Sequence, residues 1–365
     1  MAGTEFPLNH PLAVQVWSNS LAVESGKRQY FSKFMGTGES ALIVVKTELQ
    51  KQAGEKITVG LRMKLREDGV EGDNLIEGTS AEEALTFFSD SLFIDQKRKG
   101  TKSKGKMSEQ RVPYNLRKEG RDALATWWSE YYDEQFMMYL SGARGINADF
   151  ISPLSFKGRA NNPLQAPDAE HMVYGGSATG KADLTANDKM SLGIVEKLVA
   201  KAETLDPMMQ PITVEGERKH VLLMHTFQAF SLRTSVSQND WLDIQKAAGV
   251  RGDGNRVYKN ALGEYADVIL HKHRNVIRFN DYGASGNVGA ARALFLGAQA
   301  GLAAWGGASG QGRYTWNEEK DDRGNALAIT AGAIFGVKKS RYDNKDFSVI
   351  AVDTACADPH VYEGT

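Results

Sequence analysis

The stretch "NLRKEGRDALATWWSEYYDEQFMMYLSG", residues 115–142, carries the strongest structural signal in this chain. It contains no proline and no internal break, and its periodicity is helical. Asn115 is a capping residue at its start, and Gly142 is the natural terminator at its end. Leu116, Leu124, Trp127, Tyr131 and Met138 fall close to one face, so the pattern predicts one long helix packed along a core. At 1.5 Å per residue it is roughly 40 Å long. Its aromatic residues read as core packing rather than as a cofactor site.

What precedes the helix is a different kind of chain. In "KITVGLRMKL" the residues Ile57, Val59, Leu61, Met63 and Leu65 alternate with Thr58, Gly60, Arg62 and Lys64, which predicts a half-buried strand. A return strand is expected in "ALTFFSDSLFID", residues 84–95. Between them, residues 67–83 carry seven acidic groups and no basic one, whereas residues 96–106, "QKRKGTKSKGK", carry six basic groups and no acidic one. Residues 54–108 therefore read as a long two-stranded excursion. An isolated hairpin is only marginally stable, so it must rest on something else. Further upstream, residues 11–35 read as a helical, partly irregular arm.

Downstream, "HMVYGGSATGKADLTANDKM", residues 171–190, holds Gly175, four residues, and then Gly180-Lys181. That is most of the phosphate-cradling pattern of nucleotide hydrolases. The hydroxyl that would hold a metal ion is replaced by Ala182, and Asp183 would repel phosphate. A helix is expected from Thr185, with Asp188 as its capping partner, to about residue 204. Strand-like segments follow: "KHVLLMHTFQAFSLR", "YADVILHKHRNVIRF", "ALAITAGAIFGVKK" and "DFSVIAVDTACA". A short helix, "NDWLDIQKAAG", is expected between the first two, with Asn239 as its cap. The mixed order, without regular alternation of strands and helices, predicts an α+β fold.

Composition narrows the function. The chain has 365 residues, 41% hydrophobic and 24% charged, as in an ordinary globular protein with two or three domains. Cys356 is the single cysteine, so an internal disulfide and a cysteine-based metal cluster are excluded. The N-terminus lacks the basic and apolar regions of a signal peptide. The apolar run "NVGAARALFLGAQAGLAAWGG", residues 287–307, contains Gly297 and Gly301 in a small-residue pattern of membrane helices. Arg292 and Gln299 interrupt it, so it reads as a closely packed core element, and no membrane is expected. Net charge is −1, unlike a chain that binds nucleic acid through its whole surface. His225, His271 and His273 offer a weak metal set without supporting carboxylates, and Arg251 to Asp253 reads as a turn. No catalytic motif, metal site or cofactor emerges, and the charge segregation points to self-association instead. Glu67, Asp68, Glu71 and Asp73 on one side, and Lys97, Arg98, Lys99, Lys102, Lys104 and Lys106 on the other, are the candidate inter-subunit contacts.

Several segments, in order, carry a resemblance: "IVVKTELQKQAGEKITVGLRMKL", "IDQKRKGTKSKGKMSEQR", "LATWWSEYYDEQFMMYLSGARG", "SLRTSVSQNDWLDIQKAAG", "ALGEYADVILHKHRNV", "GAQAGLAAWGG" and "AGAIFGVKKSRYDNKDFSVIAVDTA". From about residue 12 to residue 356 the chain resembles the major capsid proteins of tailed bacteriophages of the N-four type, and "YGGSATGKADLTANDKMSL" resembles that family's glycine and threonine loop. The resemblance implies a coat fold of the Hong Kong ninety-seven type. On that basis residues 1–53 would be an N-terminal arm, 54–108 an E-loop, 109–215 a P-domain with spine helix 115–142, and 216–365 an A-domain plus strands returning to the P-domain. It implies a non-enzymatic protein that forms hexamers and pentamers of an icosahedral virion shell in the bacterial host cytoplasm. The expected partners are other copies, portal, scaffolding and cement proteins, and packaged double-stranded DNA, which the basic run could face instead of a neighbour. Some coat proteins of this fold crosslink an E-loop lysine to a neighbour's asparagine; nothing in this sequence assigns such a pair. The alternative from another class is a nucleotide-binding enzyme using the loop at 175–181.

Overall fold

The computed structural model describes residues 11–356 except 51–53, 64, 79–80, 112–114, 215, 238–240, 243, 246–256 and 308–312. Asn239 and the Arg251–Asp253 turn therefore lie outside the described residues. Trp241, Leu242, Ile244 and Gln245 are helical, in the expected short helix.

The long helix forms as its caps dictate. An arm helix, α1 (Pro11–Arg28), comes first, and a five-residue helix, α2 (Lys106–Gln110), precedes α3 (Leu116–Ser141). Asn115 Oδ1 accepts the backbone N–H groups of Arg117 and Lys118, at 3.1 and 3.2 Å. Gly142 ends the helix at φ 70°, and a Cβ there would drive into the carbonyl of Gln165, so only glycine fits.

The buried face differs from the expected stripe. Leu124, Tyr131 and Met138 are buried, but the fully buried tryptophan is Trp128, and Trp127 is half-buried. From Tyr131 to Ser141 every residue is buried, because this half of α3 is enclosed on several sides. Trp305 and Phe335 from one sheet, Leu223 and Leu294 from another, and Phe31 and Phe34 of the arm share its core. The polar residues in this half serve as ties. Asp133 accepts the N–H groups of Tyr30 and Phe31, and Glu134 accepts those of Ile151 and Ser152.

Two sheets supply that enclosure. The six-stranded sheet runs β1 (Met35–Gly36), β2 (Ile43–Lys46), β15 (Gly301–Gly306), β17 (Ala326–Lys339) and β16 (Thr315–Asp321), with β5 (Asp95–Lys102) also paired to β17. The eight-stranded sheet runs β11 (Gly263–Tyr265), β12 (Val268–Lys272), β10 (Glu217–Met224), β14 (Val288–Leu296), β20 (Val349–Ala355) and β8 (Met172–Tyr174). To it are added β13 (Arg278–Tyr282), paired with β14, and β9 (Ile212–Val214), paired with β10. Two more helices, α4 (Leu192–Thr204) and α5 (Thr226–Ser235), join a second core with this sheet. Among the described residues three two-stranded pairs complete the sheets: β3 (Lys56–Arg62) with β4 (Phe87–Phe93), β6 (Gly158–Arg159) with β7 (Asn162–Pro163), and β18 (Arg341–Tyr342) with β19 (Lys345–Asp346).

Several local expectations are corrected. The apolar run 287–307 is two strands in different sheets, β14 and β15, and Gly297 lets the crossing chain press against the carbonyl of Gln210. The segment "KHVLLMHTFQAFSLR" is strand only to Met224. His225 then caps α5, its Nδ1 accepting Phe227 N–H while Gln228 accepts His225 N–H. Asp188 does accept Thr185 N–H and Oγ1–H, at 2.7 and 2.8 Å. That pair closes an isolated turn, because Lys189 bridges to Ala355 and α4 starts only at Leu192. Across residue 215, β8 and α4 share a sheet or core with β10, β12, β14 and β20.

Candidate functional site

The glycine loop is built for packing. Gly175 and Gly176 lie so close to Asp188 that a Cβ at either would collide with it. Lys181 Nζ is 2.6 Å from Asp281, Thr179 donates to Asp183, and the next helix after the loop begins only at Leu192. The loop thus lacks the helix N-terminus that would face a phosphate. The three histidines are likewise engaged individually. His225 is the α5 cap, His271 Nε2 is 2.9 Å from Val257 O, and His273 Nδ1 accepts Asn275 N–H. Among the described residues no group of three or more metal-ligating side chains gathers, and no helix is long and apolar enough to cross a membrane.

The projecting excursion has the expected strands but a different extent. In β3, Ile57 is buried while Thr58, Gly60 and Arg62 are exposed. With Leu92 of β4, Ile57 packs on Val44, Leu49, Leu302 and Ala304, so the hairpin rests on the six-stranded sheet. Strand pairing ends at Arg62–Phe87, with one further in-register bond from Met63 N–H to Thr86 O, short of Leu65. Beyond it lies an acidic loop, in which Glu67, Asp68, Glu71 and Asp73 are all exposed. The loop is tied at its neck, where Glu83 accepts the N–H groups of Arg66 and Glu67 and Arg66 pairs with Asp206. It also exposes apolar side chains: Leu75 is 74% exposed, and Leu65, Ile76, Leu85 and Phe87 are each more than half exposed.

The basic run is placed differently. Residues 95–102 leave the hairpin and become β5, an antiparallel partner of β17 from Asp95–Phe335 to Lys102–Ala328. All eight residues of β5 are exposed. Lys97 and Lys99 point towards α3, with Nζ 5.5 Å from the rings of Tyr131 and Trp127. Lys102 Nζ is 2.6 Å from Asp321. Arg98 and Lys104 are exposed, and Lys106 opens α2, its N–H donated to Asn325. Among the described residues no ion pair joins the acidic run to the basic one. One chain therefore presents two separate patches of opposite sign.

The sequence reading missed one polar centre. Arg292 on β14 and Asp353 on β20 form a buried pair, and Tyr282 donates to the same carboxylate at 2.5 Å. Arg292 also donates to Ser141 O at the end of α3, at 3.0 Å. The paired carboxylate holds the guanidinium above its usual pKa despite burial, and burial beside Asp353 pushes the Tyr282 hydroxyl up as well. The available signal was a single charge inside each of two apolar strands, "GAARALFL" and "VIAVDTA".

Comparison with known proteins follows these features over nearly the whole chain. The family described as phage capsid protein matches residues 5–358. The major capsid protein of Pseudomonas phage KPP25 is 28% identical over 373 residues, covering 93% of this chain and 94% of that relative. The capsid of Ralstonia phage GP4 superposes with a TM-score of 0.87 at 44% identity, over 98% of this chain and 99% of that one. The capsid of cyanophage Pam1 gives 0.71 at 18% identity over 98% and 95%, a likeness of fold alone.

Proposed function

This chain belongs to the phage capsid protein family, and we propose that its copies assemble as hexamers and pentamers into an icosahedral shell enclosing double-stranded DNA. It is a major capsid protein of a tailed phage and a virion component, a structural protein with the coat fold of the Hong Kong ninety-seven type. The observation that carries the proposal is end-to-end likeness at 44% identity to a phage capsid subunit. In that frame α1 is the N-terminal arm, and β3, β4 and the acidic loop are the E-loop. The six-stranded sheet with α3 is the P-domain, and the eight-stranded sheet with α4 and α5 is the A-domain. Assembly takes place in the host cytoplasm, with portal, scaffolding and cement proteins as further partners.

The two charged patches suit this role. Opposite patches steer docking and fix register between copies, and one repeated sequence supplies both signs around a closed ring. The nucleotide-binding alternative has no support in the loop geometry, where Lys181 is paired with Asp281. Electron microscopy of the purified protein is the direct test. Closed shells, tubes or capsomer rings are expected, and protein that stays monomeric at every concentration and salt tried would refute the proposal.

A further inference from the structure

The strand β5 is an open edge. Among the described residues its one partner is β17, and no strand lies on its other side. Ser103 N–H donates to Leu327 O at 2.8 Å and continues the register of the β5–β17 pair. In an antiparallel ladder the bonded pairs alternate, so the backbone groups of residues 97, 99 and 101 point towards β17. Those of Arg98, Gly100 and Lys102 point outward. Every residue of the strand is exposed, and no strand among the described residues pairs with these groups. An uncovered edge is a template for another strand.

The acidic loop contains a segment of matching size and charge. Gly72 and Gly78 adopt φ of 66° and 75°, so turns bracket Asp73–Glu77, "DNLIE". Asp73, Leu75 and Glu77 would share one face of an extended segment. On β5, Arg98, Gly100 and Lys102 share the face turned away from α3. Placing Leu75 opposite Gly100 brings Asp73 and Glu77 opposite Arg98 and Lys102, whichever direction the strands run. Gly100 leaves a notch there that no other residue could keep, since a Cβ would lie 2.8 Å from Thr330 Oγ1. Ile76 then falls on the α3 side, opposite Lys99 beside Trp127 if the strands run antiparallel and opposite Thr101 beside Gly120 if they run parallel. Lys102 also holds Asp321, and its ammonium has donors for both carboxylates.

We infer that residues 73–77 of one copy add as a strand to the open β5 edge of a second copy. This rests on the assembly role proposed above and specifies how the two patches meet: by backbone hydrogen bonds, with the charges setting register. The test compares Arg98→Ala with Arg98→Pro in the full chain. Both lose the same charge, but only proline removes the outward N–H, and an edge strand tolerates it. The expected result is that Arg98→Ala still forms shells while Arg98→Pro stays folded and forms none. Equal assembly by the two variants would overturn the strand addition while leaving the assembly role intact. Hydrogen exchange on the wild type gives an independent arm that does not depend on how the proline variant folds. The amides of Arg98, Gly100 and Lys102 should exchange freely in the unassembled chain and slow roughly a hundredfold or more in empty shells. Lys97 and Lys99 should be protected in both. Unchanged exchange at the three amides, or slowing only when DNA is present, would reject the inference; a wild type that never assembles would instead reject the role on which it rests.

Discussion

Arg292 and Asp353 stand directly opposite each other across the β14–β20 ladder, joined by two parallel hydrogen bonds of 2.8 and 2.7 Å. Asp353 is fully buried and Arg292 is 8% exposed. Removing one partner leaves an uncompensated buried charge, which costs about 3–5 kcal/mol. Asp353→Ala should therefore lose that much stability in urea unfolding of the unassembled chain. Replacing both residues with apolar ones of similar volume, as in Arg292→Met with Asp353→Leu, should recover most of it. A double variant as unstable as the single one would show that the pair is needed for its bond to Ser141 O and not only for charge neutrality.

The helix α3 offers a comparison between adjacent tryptophans. Trp128 is fully exposure-free and surrounded by Tyr132, Tyr314 and Phe335. Trp128→Ala should cost about 3–5 kcal/mol. Trp127 is half-buried and stacks on Tyr131, with Lys99 Nζ 5.5 Å from its ring. Trp127→Ala should cost clearly less, about 1–2 kcal/mol from lost stacking and area. Equal melting temperatures for the two variants would contradict the burial assigned here.

Acidification has a sign that follows from burial. Desolvation pushes His220 and His273 down to about 4 and His271 down to about 3. A histidine with a depressed folded pKa contributes stability that is complete above its unfolded value near 6.5 and is lost as pH falls through the folded one. Asp133 opposes this, since burial raises it to about 7, so the folded state holds its proton where the unfolded state does not. Between pH 6 and 4.5 these four groups leave a net excess of about one and a half protons on the unfolded chain, a slope of about 2 kcal/mol per pH unit, which the raised carboxyls of Glu134 and Asp346 reduce. Stability of the unassembled protein should fall over that range. His220→Phe should flatten the slope by about a third to a half; an identical slope would mean that His220 does not carry its part.

Charge reversal tests the two patches. Lys97, Arg98, Lys99 and Lys102 changed together to Glu should leave the chain folded, because the ring contacts of Lys97 and Lys99 are worth only about 0.5–1 kcal/mol each. Assembly at low salt should be blocked. Reversing Glu67, Asp68, Glu71 and Asp73 to Lys in the same chain should partly restore it. Wild-type assembly should slow above about 0.1 M salt, where screening shortens the interaction range to about 10 Å. Normal shells that fail only to retain DNA would place the basic strand on the genome instead of on a neighbour.

What the sequence made legible was local. Asn115 and Gly142 announce the ends of α3 because capping is decided within a few residues, and Ile57 to Leu61 announce β3 because their alternation is decided within one strand. β5 was hidden for the opposite reason. "DQKRKGTK" has no apolar residue, so its place in a sheet depends on backbone pairing with a strand more than two hundred residues away. The second half of α3 misled in a related way: a one-sided stripe was expected, whereas two sheets and the arm enclose it. The residues of the candidate surface were legible as charge, but their separation into a loop and a strand edge needed the fold.

The fourteen-residue strand β17 has a mechanical meaning. The hairpin strand β4 passes through Ile94 directly into β5, which lies along β17 for eight consecutive pairs. A pull on the projecting hairpin is thus delivered lengthwise to that ladder, so its bonds share the load in shear and do not open one after another like a zipper. On its other edge β17 is bonded to β15 and β16, which spreads the same tension into the body. If the hairpin links neighbouring copies as proposed above, a container under internal pressure would load that link along its length instead of at a point.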